Sequence, residues 1–162
     1  MKESIESVQS NREQLQKLEA ENKYVFHGSG SPNLDSLEPR QAFNYINGVH
    51  VPDGDPAVFA SSKADYAILM ALINERNCPD GYQSSAGASG NENGEIILNL
   101  SVRKDALEQL SDDSLGYVYV FNKGDFVQRE EMSAEFVSKV SVTPVSKIVV
   151  KKSDLPPCVE VF

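Results

Sequence analysis

The sequence predicts an α+β fold with largely antiparallel strand pairing, and three observations lead to this prediction. A helical pattern opens the chain, and most of the remaining sequence is typical of short strands joined by turns. Helices and strands do not alternate regularly, which argues against a Rossmann sheet or a TIM barrel. The length of 162 residues and the hydrophobic content of 40% suit one domain with a proper core.

The N-terminal segment, residues 2–22, is predicted to be a helix. Apolar residues recur there at roughly helical spacing among Glu, Gln, Lys and Arg: Ile5, Val8, Leu15 and Leu18. Because this apolar stripe is thin, we expect the helix to pack on the surface of the domain, with partner binding as the alternative. Residues 23–162 are then expected to form a single domain that begins with a strand over residues 23–27.

The segment between the first strand and the next helix is rich in turn-forming residues. "GSGSPNLDSLEPRQ" is predicted to be a loop with one helical turn at "PNLDSL", and "NGVHVPDGDP" is predicted to be a loop or turn. "AVFAS" is short, apolar and bounded by Pro56 and serines, which is typical of a buried strand. Ser61 or Ser62 is expected to cap the following helix, "KADYAILMALINERN", which stops before Pro79.

The second half of the chain is predicted to be mostly strands. "GYQSSAGASGNENG", residues 81–94, has few side chains that can pack, so it is predicted to be an inserted loop, with a mobile flap as the alternative. "EIILNLSV" and "GYVYVFNK" are the clearest strands, and "KDALEQL" between them is a short helix. "FVQRE" and "AEFVSKVSVTPVSKIVVKK" supply two or three more strands. "SDLPPCVEVF" ends the chain as an edge strand limited by its prolines.

The composition narrows the class of partner. The formal net charge is -9, and an acidic surface disfavours binding to phosphate backbones and to anionic membranes. No apolar run approaches the ~18 residues of a membrane span, and the polar N-terminus does not resemble a signal peptide. The expectation is a cytoplasmic protein with reduced thiols at Cys78 and Cys158, one disulfide between them being the alternative.

Familiar catalytic motifs are missing from the sequence. It contains no GxGxxG, no P-loop, no HExxH and no GxSxG elbow. The two histidines, His27 and His50, cannot build a zinc site alone, so no metal is expected. Neither cysteine lies in a context that favours an activated thiolate. The charged run Arg129-Glu130-Glu131 is interpreted as a solvated edge.

Three segments, taken in order, resemble the ADP-ribosyltransferase superfamily, in particular the branch of diphtheria toxin and the poly(ADP-ribose) polymerases. "VFHGSGSPNLDSLEPR" looks like that branch's strand ending in His-Gly-Ser, followed by a loop. "AVFASSKADYA" looks like its strand leading into a helix with a tyrosine, and "AEFVSKVSVTPVSKIVV" looks like its segment opened by the catalytic glutamate. The three segments cover roughly a quarter of the chain.

The resemblance implies a split, mostly antiparallel sheet and the transfer of ADP-ribose from NAD, a substrate used without a metal. Glu135 and His27 would be the catalytic residues, with His27 on a ribose hydroxyl and Tyr66 stacked on nicotinamide. Arg40 would lie near the adenosine. The residues implied to bind NAD are His27, Gly28, Ser29, Phe59, Ser62 and Tyr66. The acceptor is unknown, a protein being favoured over a nucleic acid, and no membrane is involved.

The sequence departs from the family pattern at two positions and leaves alternatives open. The family's tyrosine before Phe-Ala is replaced by Val58, and its serine three residues before the helix tyrosine is replaced by Lys63, with Ser62 adjacent. Glu130 or Glu131 would replace Glu135 if the register slips by a strand position. The alternative function is a weak or inactive binding module for NAD, ADP-ribose or protein. The branch of RNA 2′-phosphotransferases is ranked low because no cluster of arginines and histidines is present.

Overall fold

The computed structural model describes residues 10–130 and 133–162. The described residues form three α-helices: α1 (Asn11–Ala20), α2 (Ala64–Leu72) and α3 (Lys104–Glu108). The first begins at Ser10, whose hydroxyl accepts a hydrogen bond from the backbone N–H of Glu13 at 3.1 Å. The N-terminal helix is therefore confirmed within 11–20, and the earlier part of the predicted helix lies outside the described residues.

The described strands form three sheets. A six-stranded sheet has the order β10-β7-β1-β4-β9-β8, a three-stranded sheet has the order β11-β6-β5, and β2 pairs only with β3. The strands are β1 (Tyr24–Ser29), β2 (Phe43–Ile46), β3 (Val49–Pro52), β4 (Val58–Ser61), β5 (Ser84–Gly90), β6 (Ile96–Val102), β7 (Leu115–Asn122), β8 (Val127–Gln128), β9 (Glu135–Ser138), β10 (Ser146–Lys151) and β11 (Glu160–Val161). Only β11 pairs in parallel, with β6. The predicted α+β class with mostly antiparallel pairing is therefore confirmed.

The main core lies between α2 and the six-stranded sheet. Helix α2 is apolar on nearly every side, and its residues Ile68, Leu69 and Leu72 are fully buried. It approaches the sheet closely because glycines occupy the contact positions. A Cβ atom at Gly28 would lie 2.0 Å from the carbonyl oxygen of Ala67, and one at Gly116 would lie 2.4 Å from that of Ala71. The opposite face of the sheet buries a second cluster that includes Val25, Val58, Tyr119, Phe121 and Phe136.

Helix α2 is capped from another helix, which corrects the predicted cap. The first backbone N–H of α2, at Ala64, donates to the Glu19 carboxylate of α1 at 2.7 Å. Ser61 instead accepts from the N–H of Lys63 at 3.0 Å, and Ser62 provides no cap. Predicting the cap from the adjacent sequence failed because a long-range partner satisfies the orphan N–H.

Helix α2 also ends earlier than predicted, at Leu72. Beyond it, the side chain of Asn74 donates to the carbonyl of Ala71 at 2.7 Å and accepts from the N–H of Asn77 at 3.2 Å. These local bonds replace the hydrogen bonds that another helical turn would make. The result is an irregular segment before Pro79.

Two segments predicted to be loops, 47–56 and 81–94, contain strands. "NGVHVPDGDP" was expected to be a loop or turn, yet its first residues belong to the hairpin β2–β3. Its turn residues, Asn47 and Gly48, have φ angles of 52° and 78°, which suit a tight hairpin turn. The predicted helical turn at "PNLDSL" is also absent; Leu37 there forms a bridge with Val142.

The loop predicted at 81–94 is wrong for half of that segment. Seven of its residues form β5, and every one of them pairs with β6. Small residues carry little strand signal of their own, so the pairing depends on the neighbouring apolar strand. The strands predicted at "EIILNLSV", "GYVYVFNK", "FVQRE" and the chain end are confirmed. No helix among the described residues is long and apolar enough to cross a membrane.

Candidate functional site

A cleft of about 1500 Å³ lies beside the C-terminal end of β1. Its lining comes from β1, β4, α2, β5 and the segments around Asp53 and Arg129. Five of the residues implied by the family resemblance line this cleft: His27, Gly28, Phe59, Tyr66 and Glu135. Residues far apart in the chain therefore meet at one site.

One side of the cleft, here called the packed wall, consists of Gly28, Tyr66, Ala67 and Met70. Strand β1 supplies the glycine, and α2 supplies the other three residues. The absence of a side chain at Gly28 is required by α2, because an added Cβ would collide with the helix backbone. Packing alone therefore accounts for this glycine, whether or not a ligand approaches it.

His27 lies at the edge of the packed wall, between β1 and β4. Its Nδ1 is 2.6 Å from the carbonyl oxygen of Phe59. Because a carbonyl only accepts, Nδ1 carries the proton and donates, which leaves Nε2 as an acceptor. Burial lowers the pKa of His27 from its ordinary value; the hydrogen bond to Phe59 opposes that shift, and the charge of Arg40 adds to it. The imidazole is therefore held neutral at physiological pH.

Tyr66 projects from the first turns of α2 and is half-buried. Burial raises the pKa of its phenol, and the negative charge of Glu135 raises that pKa further. The phenol therefore stays protonated and can act as a hydrogen-bond donor. Tyr66 and Glu135 both line the cleft.

The other side of the cleft, here called the ionic wall, consists of Asp53, Arg129 and Glu135. Nη1 of Arg129 donates to Glu135 Oε2 at 3.0 Å and to Asp53 Oδ2 at 3.2 Å, and Nη2 donates to Asp53 Oδ1. The guanidinium also lies 5.7 Å from the ring centroid of Phe59. Hydrogen bonds to the two carboxylates raise the pKa of Arg129, and Arg129 lowers the pKa of Asp53.

The ionic wall corrects the interpretation of the charged run at 129–131 as a solvated edge for Arg129, whereas Glu130 is exposed, as that interpretation predicts. Arg129 is engaged by two carboxylates, and Glu130 lines the cleft. Glu131 lies outside the described residues. The adjacent backbone reinforces this arrangement, because the N–H of Arg129 donates to the carbonyl of Glu135 at 2.9 Å.

Strand register determines on which face of the six-stranded sheet each of these residues lies. Ser61 pairs with Phe26 on β1 and with Glu135 on β9, so the three share one face of the sheet. His27 follows Phe26 and therefore starts on the opposite face. Strands β1 and β4 have a single registered pair, and the imidazole lies between them next to Phe59. His27 and Phe59 consequently line both the cleft and a smaller cavity of about 320 Å³.

The remaining predicted residues lie away from the cleft. Ser29, Arg40 and Val58 line the smaller cavity, and Arg40 is exposed there. Ser62 lines neither cavity; its backbone N–H donates to the carbonyl of Ala134 at 2.9 Å. Lys63 precedes α2 and pairs with Glu19. Ser61, the last residue of β4, borders the cleft instead.

Sequence reasoning missed Asp53 and Arg129 as site residues. They are 76 positions apart, and neither belongs to a motif. Asp53 lies in a turn-rich stretch where an aspartate is ordinary, and Arg129 lies in a charged run. The sequence signal for Arg129 was its position six residues before Glu135, which is compatible with two adjacent strands joined by a short connection.

Comparisons with protein-family models, with curated proteins and with solved structures found no match. Within the described residues, no group of three or more His, Cys, Asp or Glu side chains could hold a metal ion.

Proposed function

We propose that this chain is an NAD-dependent ADP-ribosyltransferase with a split-sheet fold of that superfamily, and that the cleft binds NAD. One observation carries the proposal. Five residues that the family resemblance assigns to NAD line a single cleft, although they come from β1, β4, α2 and β9: His27, Gly28, Phe59, Tyr66 and Glu135. Nothing in the local sequence requires residues 27, 66 and 135 to border the same space.

The proposed reaction breaks the bond between the nicotinamide nitrogen and C1′ of the ribose. The electron pair of that bond moves to nicotinamide, whose ring becomes neutral, and the ribose acquires oxocarbenium character. A nucleophile of the acceptor then forms the new bond to C1′ and loses its proton. The Glu135 carboxylate stabilises the positive charge that develops on the ribose, because a fixed negative charge interacts more strongly with the transition state than with the ground state.

His27 and Tyr66 orient the substrate in this proposal. Because Nδ1 of His27 donates to Phe59, its Nε2 is available to accept the hydrogen of a ribose hydroxyl. A neutral imidazole also avoids adding positive charge beside the forming oxocarbenium ion. Tyr66 presents an aromatic ring from α2 on which the nicotinamide can stack.

The dimensions of the cleft suit this chemistry. Its volume of about 1500 Å³ exceeds the range of roughly 300–1000 Å³ typical of pockets for one small molecule. A dinucleotide and part of an acceptor can therefore be accommodated together. The net charge of the chain, -9, supports a protein acceptor over a nucleic acid, because phosphate backbones are repelled.

The proposed function is tested by NAD binding and by release of nicotinamide. We expect wild type to bind NAD in calorimetry and to release nicotinamide, and we expect Glu135→Gln to lower turnover about 100-fold or more, because the fixed charge is lost. Glu130→Gln is the matched control, since Glu130 also lines the cleft. Unchanged turnover in Glu135→Gln removes Glu135 from the mechanism. Loss of turnover in Glu130→Gln instead assigns the role to Glu130, and absence of NAD binding by wild type rejects the enzyme.

A second candidate function is a binding module that retains the cleft without catalysis. The ion pair between Glu135 and Arg129 favours it, because the carboxylate is already engaged. The positions of Val58 and Lys63 outside the cleft favour it too, since neither replaces the missing family side chain. A rise in melting temperature with ADP-ribose, without nicotinamide release from NAD, would distinguish the module from the transferase.

A further inference from the structure

The ionic wall carries the one cationic side chain that the described residues contribute to the cleft. Three carboxylates line the same space, those of Asp53, Glu130 and Glu135, against the single guanidinium of Arg129. An acidic cleft repels the phosphates of a nucleotide. Among the described lining residues, Arg129 is therefore the side chain that can offer a phosphate a charged hydrogen-bond donor.

We propose that Arg129 binds the phosphate next to the ribose of the ligand and, in doing so, leaves Glu135. The inference rests on the proposed function and adds a second role for the same contact. The ion pair between Arg129 and Glu135 becomes the device that makes the catalytic carboxylate available only when a phosphate is present.

The contacts of Arg129 are unequal, and this inequality determines which one breaks. Asp53 receives hydrogen bonds from both terminal nitrogens of Arg129, whereas Glu135 receives one from Nη1. Asp53 is therefore the anchor, and Glu135 is the partner that leaves. Phe59 supports the guanidinium from the side, 5.7 Å from its ring centroid, so the planar group stays at the cleft while its partner changes.

The exchange is energetically accessible. The side chains of Arg129, Asp53 and Glu135 are 28%, 26% and 38% exposed, so solvent screens the existing pairs. A phosphate offers the guanidinium two charge-assisted hydrogen bonds in its preferred geometry. The backbone need not move, because the N–H of Arg129 remains bonded to the carbonyl of Glu135.

The structure thus links binding to catalysis through one side chain. The freed Glu135 carboxylate can turn to a ribose hydroxyl. The phosphate then replaces Glu135 as the negatively charged partner of Arg129. A nicotinamide nucleoside without phosphate would leave Glu135 paired. We therefore expect nicotinamide riboside to be cleaved at least about tenfold more slowly than NAD.

Inorganic pyrophosphate is the probe that isolates the guanidinium, because it contains no ribose. Calorimetric titration at low salt is expected to show affinity lowered about tenfold or more in Arg129→Gln. In Glu135→Gln the affinity is expected to rise about two- to fivefold, since a competing carboxylate is removed. The matched control is Arg76→Gln, because Arg76 is exposed and lies outside the described lining of both cavities. Wild-type affinity in Arg129→Gln, or weaker affinity in Glu135→Gln, overturns the inference.

Two further measurements keep the test decisive. If Arg129→Gln fails to fold, Arg129→Lys retains the charge without the planar fork, and it is expected to bind pyrophosphate about threefold more weakly than wild type; equal affinity overturns the inference. Nicotinamide release is measured in parallel. The expected pyrophosphate pattern without nicotinamide release supports the role of Arg129 and rejects the transferase. Nicotinamide release that is insensitive to Arg129→Gln supports the transferase and rejects the role of Arg129.

Discussion

The two walls of the cleft are built on different physical principles. In the packed wall, the backbone of α2 packs directly against Gly28 of β1. The α2 side chains Ile68 and Leu72 are fully buried behind this contact. The ionic wall is held by hydrogen bonds among Asp53, Arg129 and Glu135, all partly exposed. The packed wall determines the shape of the cleft, whereas the ionic wall determines its charge.

This difference determines whether a substitution in each wall affects folding or ligand binding. Close packing between α2 and Gly28 leaves no room for an added atom, so a substitution at Gly28 displaces the helix. Partly exposed ion pairs contribute little to folding, so a substitution in the ionic wall chiefly alters what the cleft binds. A ligand can therefore rearrange the ionic wall while the packed wall keeps its geometry.

The largest expected effect is that of Gly28→Ala. The added Cβ would lie 2.0 Å from the carbonyl oxygen of Ala67 and 2.6 Å from the N–H nitrogen of Ala71, and neither backbone atom can yield without moving α2. We expect the free energy of unfolding in urea to fall by about 3 kcal/mol. Gly87→Ala is the matched control, because an added Cβ there meets nothing within 4 Å. Equal stability of the two variants would show that α2 is not packed on Gly28.

A smaller effect is expected at the start of α2. Glu19→Ala removes the carboxylate that accepts from the N–H of Ala64, and a missing helix cap costs about 1 kcal/mol of unfolding free energy. Glu19→Gln retains an acceptor oxygen, so it should lose less than the alanine variant. Both are measured by chemical denaturation. If glutamine is as destabilising as alanine, the ion pair with Lys63, and not the cap, carries the contribution of Glu19.

The fold could be predicted wherever side chains carry a periodic pattern. Strand β7 and strand β6 were evident from their alternating apolar residues, and α2 from its apolar face. Strand β5 could not be predicted in the same way, since "SSAGASG" has no apolar alternation and owes its conformation to pairing with β6. The β2–β3 hairpin was missed although Asn47-Gly48 is a strong turn signal, because Pro52 and Pro56 favoured a loop.

The candidate site likewise contains residues that the sequence predicts and residues that it does not. Residues of the packed wall lie in segments with a recognisable order, a strand ending in His-Gly-Ser and a helix bearing a tyrosine, so they could be named from the sequence. The ionic wall depends on a contact between residues 53 and 129, which only the folded chain reveals. Charged residues are common on surfaces, so sequence alone does not distinguish a paired arginine from a solvated one.

The effect that is smallest at neutral pH concerns His27, which lies where the two walls meet. Burial lowers its pKa from 6.5, so the unfolded chain takes up a proton before the folded protein does. The contribution of neutral His27 to the free energy of unfolding is therefore fully present above about pH 6.5. It is lost as the pH falls from there through the folded pKa, by at most about 1.4 kcal/mol per pH unit for one proton. His27→Asn keeps a donor for the Phe59 carbonyl without a titrating group, and all other groups cancel in the difference between the two proteins. We expect the unfolding free energies of wild type and variant to run parallel above pH 7 and to diverge below 6.5, with wild type losing more. If the unfolding free energies of the two proteins stay parallel down to pH 5, the imidazole is exposed to solvent in the folded protein. Water would then reach the place where the two walls meet.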